Sequence, residues 1–120
     1  MIERVSDSSG ILFEVKLDEL EGVFSPEDEI NFFRIVQESI NNVIKHSDAS
    51  MAEVVIKKAE NGIELRIKDN GRGFIPHQSQ NKRQGFGLRG IAERVRLLNG
   101  LVSIKSIPNE GTEVMVKIER

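Results

Sequence analysis

Ile63-Glu64-Leu65-Arg66-Ile67-Lys68-Asp69-Asn70-Gly71-Arg72-Gly73 is the stretch that decides the fold. Its first six residues alternate apolar and charged side chains, the period of a β-strand with one face covered and one in solvent. The strand ends in an acid, and two glycines follow it. Just upstream, Glu53–Lys58 reads as a partner strand joined near Asn61-Gly62, the pair preferred where a tight hairpin needs positive φ at both central residues.

Further upstream, Ser25-Pro26-Glu27-Asp28 opens a helix that runs to about His46. Ser25 suits the cap, Pro26 the first helical position, and acids follow. At about 100° per residue, Ile30, Phe33, Val36, Ile40, Val43 and Ile44 make an apolar face. Asn31, Arg34, Glu38, Asn42 and Lys45 fall on the opposite side. Ile11–Leu17 reads as an earlier strand, and the polar residues 4–10 as a loose lead-in, so residues 11–120 form the domain proper. Downstream, residues 70–84 are glycine-rich, then polar, with no periodicity; a stretch of this length without structure is usually functional or mobile. A helix follows from about Leu88 to Asn99, with Ile91, Val95 and Leu98 on one side and Gly100 as its stop signal. Strands Leu101–Ile107 and Thr112–Ile118, joined by Pro108-Asn109-Glu110-Gly111, close the chain. Strands segregated against two helices predict an α/β two-layer sandwich.

The composition bounds the function. A chain of 120 residues supports one core. A net charge of −2 offers no electrostatic footprint for nucleic acid or an anionic membrane. Zero cysteines exclude disulfides and thiolate metal sites. No apolar run approaches the roughly 18 residues of a membrane span, and the start, Met1-Ile2-Glu3-Arg4, is no secretory signal. A soluble intracellular domain is expected.

Three motifs carry chemistry. Glu38, Asn42 and Lys45 stand at i, i+4 and i+7, one helical stripe. Asn42 offers a neutral oxygen to Mg²⁺, Lys45 a charge for phosphate, and Glu38 a group to orient or deprotonate a nucleophile. Taken alone, a solvated helix face explains the stripe as well. Asp69, before Gly71 and Gly73, can accept the exocyclic amino proton of adenine where glycines let the backbone approach a flat base; a plain Asp-Asn-Gly turn is the simpler alternative. Gly85-Phe86-Gly87-Leu88-Arg89-Gly90 precedes a helix, whose exposed N–H groups favour phosphate. No Gly-Lys-Ser/Thr follows, so the Walker pattern is excluded. His46 suits the end of its helix, His77 lies in the polar loop, and a zinc site is not expected.

In this order and spacing the three stretches resemble the N, G1 and G2 boxes of the GHKL ATPase superfamily, and most closely the ATP-binding domain of two-component sensor histidine kinases. Gln37-Glu38, Asn42, Lys45-His46 and Gly87-Leu88-Arg89-Gly90-Ile91-Ala92-Glu93-Arg94 look like the subfamily paired with LuxR-type response regulators. The resemblance implies the GHKL (Bergerat) fold, a mixed sheet packed on helices, with ATP and Mg²⁺ as cofactors. It implies that Asn42 binds the metal, that Lys45 contacts phosphate, and that Glu38 is a supporting polar residue or base. Asp69 would read adenine with Thr112, Gly71 and Gly73 would hinge an ATP lid over about residues 71–87, and Gly85, Gly87, Leu88 and Gly90 would lie at its far end. The phosphoacceptor of such kinases is a histidine on an upstream dimerisation helix pair. No counterpart of that pair is read in this chain, so the expectation is a catalytic domain, monomeric when isolated, with a dimerisation domain and indirectly a response regulator as partners. An anti-sigma-factor-like serine/threonine kinase and a non-catalytic nucleotide sensor are the alternative readings.

Overall fold

The computed structural model describes residues 2–6, 10–73 and 86–119, with residues 2–6 and 86–89 as backbone only. The chain runs β1 (Ile2–Ser6), β2 (Leu12–Leu17), α1 (Pro26–His46), β3 (Met51–Ala59), β4 (Gly62–Asp69), α2 (Phe86–Leu97), β5 (Gly100–Ile107) and β6 (Gly111–Glu119). Six strands form one sheet in the order β1-β2-β3-β4-β6-β5. Only the β2–β3 pair is parallel. Parallel neighbours need a long crossover, and here α1 supplies it. The sheet is therefore mixed, with both helices in a second layer, as the alternation in β4 predicts.

Ile63, Leu65 and Ile67 are at most 2% exposed, while Glu64, Arg66 and Lys68 face outward. Val54 and Ile56 of β3 and Val114, Val116 and Ile118 of β6 share the covered face. Ile91, Val95 and Leu98 seal it from α2. α1 begins as its sequence dictates: Ser25 Oγ accepts from the Asp28 N–H at 3.2 Å, Pro26 follows the cap, and acids fill the first turn. Lys45 and His46 end it, where the helix dipole favours cations.

Four local expectations are corrected. The residues that α1 buries are Phe32, Ile35, Ser39 and Val43; Ile30 and Phe33 are 57% and 52% exposed. The rest of the expected face holds, with Val43 buried and Val36, Ile40 and Ile44 packed against the core; periodicity alone cannot fix the edge of a broad apolar face to within one residue. The lead-in is not loose throughout: Ile2–Ser6 pairs antiparallel with β2, because the open edge of β2 leaves backbone donors and acceptors that a neighbouring segment satisfies. In the β3–β4 hairpin the two loop residues are Glu60 and Asn61, with Gly62 already paired to Ala59. Glycine is required there because a Cβ would lie 1.9 Å from the Ile118 carbonyl oxygen of β6. At the end of α2 the left-handed residue is Asn99 (φ 58°), and Gly100 instead opens β5.

The corrected face of α1 makes a direct prediction. Ile35→Ala should cost about 2–5 kcal/mol in urea unfolding, the usual loss for a buried large-to-small change. Phe33→Ala should cost no more than about 1 kcal/mol. Equal losses at the two positions would contradict this packing.

Candidate functional site

Asp69 is the last residue of β4 and is 7% exposed, although it is charged. Two backbone groups compensate: Gly71 N–H donates to Asp69 Oδ1 at 2.8 Å, and the Thr112 N–H donates to the same carboxylate. Burial raises the Asp69 pKa above its ordinary 3.8, and the two hydrogen bonds partly oppose this. The close approach needs bare backbone on both sides. A Cβ on Gly111 (φ 120°) would lie 2.0 Å from Asp69 O, and one on Gly71 would lie 2.0 Å from Ser47 O.

The turn after Asp69 is stitched to its surroundings. Arg72 N–H donates to Ser47 O at 2.7 Å, Arg72 Nε donates to His46 O at 2.7 Å, and Asn109 N–H donates to Arg72 O at 2.6 Å. Asn70 Oδ1 accepts from the Ser50 and Met51 N–H groups, both at 3.0 Å. The end of α1, the start of β3 and the β5–β6 turn are thereby tied to one pentapeptide.

A cleft opens above this floor. Val43, Ile67, Ile91 and Val114 form apolar walls, and Asn42, His46, Asp69, Gly73 and Thr112 bring polar or bare backbone surface to it. Thr112 Oγ1 lies 2.8 Å from Ser106 Oγ. An apolar slot with one charged acceptor at its base suits a flat heterocycle bearing an amino group. Among the described residues, no group of three or more His, Cys, Asp or Glu could hold a metal ion. Asn42 brings one neutral side-chain oxygen to the cleft, a ligand type that hard cations accept together with water.

Asn42, Asp69, Gly73 and Thr112 are thus brought together in one cleft, as expected from sequence. Gly71 lies beneath the floor. Lys45 is exposed on the last turn of α1 and is not in the cleft wall. Glu38 points elsewhere: its Oε1 accepts from Arg94 Nε of α2 at 2.9 Å. Gly90 packs against Glu38. Gly87 and Leu88 stand at the start of α2 as backbone only. Gly85, His77 and residues 74–84 of the expected lid lie outside the described residues. Asn70, Arg72 and Arg94 lie within the quoted stretches, but the sequence reading gave none of them a role of its own. An Asx-type turn was legible at Asn70, but nothing local marked the two arginines.

A family profile described as histidine kinase-, DNA gyrase B- and HSP90-like ATPase matches residues 27–120. The chain belongs to this ATPase family. DegS of Brevibacillus brevis, a signal transduction histidine-protein kinase/phosphatase, is 41% identical over 95 residues, which are 79% of this chain and 24% of DegS. YdfH of Bacillus subtilis, a sensor histidine kinase, is 33% identical over 121 residues, 98% of this chain and 29% of YdfH. The chain spans about a quarter of the length of these curated relatives. Among solved structures, the Acinetobacter baumannii histidine kinase AdeS shares the fold with a TM-score of 0.76 at 20% identity, covering 92% of this chain and 55% of that one. The ATP binding domain of PrrB from Mycobacterium tuberculosis has a TM-score of 0.62 at 25% identity, covering 75% of this chain and 67% of that one. No described helix is long and apolar enough to cross a membrane.

Buried Asp69 gives this ATPase-family domain a defined pH dependence. The folded state holds the Asp69 proton to higher pH than the unfolded chain does. The associated stability is complete below about pH 3.8 and is lost as pH rises through the raised folded value. Asp69→Asn has no such loss, so urea unfolding should find the variant gaining on the wild type as pH rises from about 4 toward 7. Each tenfold difference in proton affinity between the two states is worth about 1.4 kcal/mol. A difference between the two proteins that is constant across this range would refute a buried, costly carboxylate.

Proposed function

We propose that this domain binds Mg-ATP in the cleft and transfers the γ-phosphoryl group to a histidine on a separate dimerisation domain, as the catalytic module of a sensor kinase paired with a LuxR-type response regulator. The observation that carries the reading is the buried Asp69 carboxylate, held by two backbone amides at the base of an apolar slot. Two of its acceptor positions are taken by Gly71 and Thr112, and a carboxylate has about four. The remainder suit the exocyclic amino group of adenine, while guanine would present a carbonyl oxygen there and be repelled. Thr112 helps hold the base at the same end.

Asn42, on the cleft side of α1, is the residue that would hold Mg²⁺ through its side-chain oxygen, with Lys45 on the next turn near the phosphates. When bound, the cation supplies neutralisation of charge on the phosphate oxygens. Gly71 and Gly73 would serve as the hinge of the ATP lid expected from the resemblance, with Gly85, Gly87, Leu88 and Gly90 as its glycine-rich far box. The incoming imidazole is itself the nucleophile, so the protein contributes positioning and electrostatic stabilisation rather than a strong base. The identities of DegS and YdfH as histidine kinases support the choice of acceptor.

Calorimetric titration of Mg-ATP into the chain tests the site. ATP should bind at least roughly tenfold more tightly than GTP, and Asp69→Ala should abolish most of the affinity, as expected for a hydrogen bond to a charged group of about 1.5–3 kcal/mol. Incubation with radiolabelled ATP and a histidine-bearing dimerisation domain from a similar kinase should then yield an acid-labile phosphoprotein. Absence of ATP binding would remove the nucleotide reading; binding with an acid-stable product would move the acceptor from histidine to a hydroxyl.

A further inference from the structure

Glu38 precedes Asn42 by one helical turn and stands where a base for the reaction would be sought, yet its carboxylate is turned to α2. Oε1 accepts from Arg94 Nε at 2.9 Å. A Cβ built on Gly90 would lie 3.1 Å from Oε2. Gly90 and Arg94 are four residues apart, on one stripe of α2. The carboxylate therefore sits in a notch, with glycine beneath one oxygen and guanidinium holding the other.

We propose that Glu38 is a positioning residue that acts through Arg94 to set α2 against α1, and that it does not serve as the proton acceptor. This inference rests on the nucleotide reading of the cleft. Ile91, Val95 and Leu98 attach α2 to the core, but apolar contact is non-directional and leaves sliding and rotation weakly specified. The ion pair supplies a direction. Its place in the molecule makes that direction matter: Ile91, adjacent to Gly90, forms part of the cleft wall, and Asn42, one turn along from Glu38, forms another part. The clamp thus spans the two helices immediately behind the two walls. The side chains of the pair are 34% and 28% exposed, so solvent screening keeps its contribution to global stability small. Its effect falls on the geometry of the cleft. Oε1 of Glu38 is turned to Arg94 and away from the cleft, in keeping with a nucleophile that needs no base.

Four variants, E38A, E38Q, R94A and E38A/R94A, test this through two readouts: Mg-ATP affinity by calorimetry, and amide hydrogen exchange of α2 and β4 without nucleotide. E38A and R94A should each weaken ATP binding by roughly tenfold, with the double variant no worse than either single one, the signature of residues acting as one unit. E38Q keeps an oxygen for Arg94 and should lose roughly threefold or less. Exchange should accelerate over residues 91–97 in E38A and R94A while β4 stays at the wild-type rate. E38Q as damaged as E38A with R94A intact would assign the carboxylate a direct chemical role and overturn the proposal. Additive losses, or α2 exchange unchanged in R94A, would overturn it too. If the wild type binds no ATP, the nucleotide reading fails, while the exchange comparison still decides whether the clamp positions α2.

Discussion

A carboxylate carried into the protein at the end of a core strand is expensive, and the rest of this structure is arranged around keeping Asp69 there. Two backbone N–H groups converge on it, one from its own turn and one from β6. Each donor can arrive only because glycine at 71 and at 111 lets a neighbouring carbonyl come within a distance that any Cβ would block. The turn is in turn held by Arg72, which bonds to the end of α1 by backbone and side chain and to the β5–β6 turn by its carbonyl. Three otherwise separate parts of the chain are therefore fixed by one acid and its immediate successors.

The site lies between layers because of how the apolar surface is divided. The sheet buries one face beneath α1 and α2 and leaves the other, rich in Glu, Lys and Arg, to solvent. Near Asp69 the helices do not close completely over the sheet. Ser39, small and buried, donates its hydroxyl to Ile35 O within α1, so the helix face there carries no bulky side chain toward the cleft. The result is a slot with aliphatic walls and a charged floor, a combination that selects for a flat, amino-bearing ligand. The ATPase family to which the chain belongs accords with that chemistry.

Much of this was legible in the residues. The clean alternation of β4, the Ser25-Pro26 start of α1 and the acid before Gly71 pointed to the one-faced sheet, the long helix and the floor of the site. Local patterning was less able to rank close alternatives. On α1 the stripe read by counting is right in part: Val43 is buried and Val36, Ile40 and Ile44 pack against the core, while Ile30 and Phe33 are exposed and Phe32 and Ile35 are buried instead. Asn61-Gly62 looked like the centre of a turn, yet Gly62 is glycine because β6 passes against it. Residues 4–10 look polar and unremarkable alone, yet Ile2–Ser6 pairs with β2 because that strand offers an open edge.

By itself the sequence determined the order and type of nearly every element, the covered face of the central strands, and the residue types that gather in the cleft. These follow from periodicity, capping and turn chemistry, which act over a few residues. Tertiary structure alone decided that Phe32 and Ile35 rather than Ile30 and Phe33 are buried on α1, that Asp69 is buried between Gly71 and Thr112, and that Glu38 meets Arg94, 56 residues away. Contacts of that separation depend on where whole elements dock, and docking minimises the exposed apolar area and unpaired polar groups of the entire chain at once. No window of neighbouring residues contains that information.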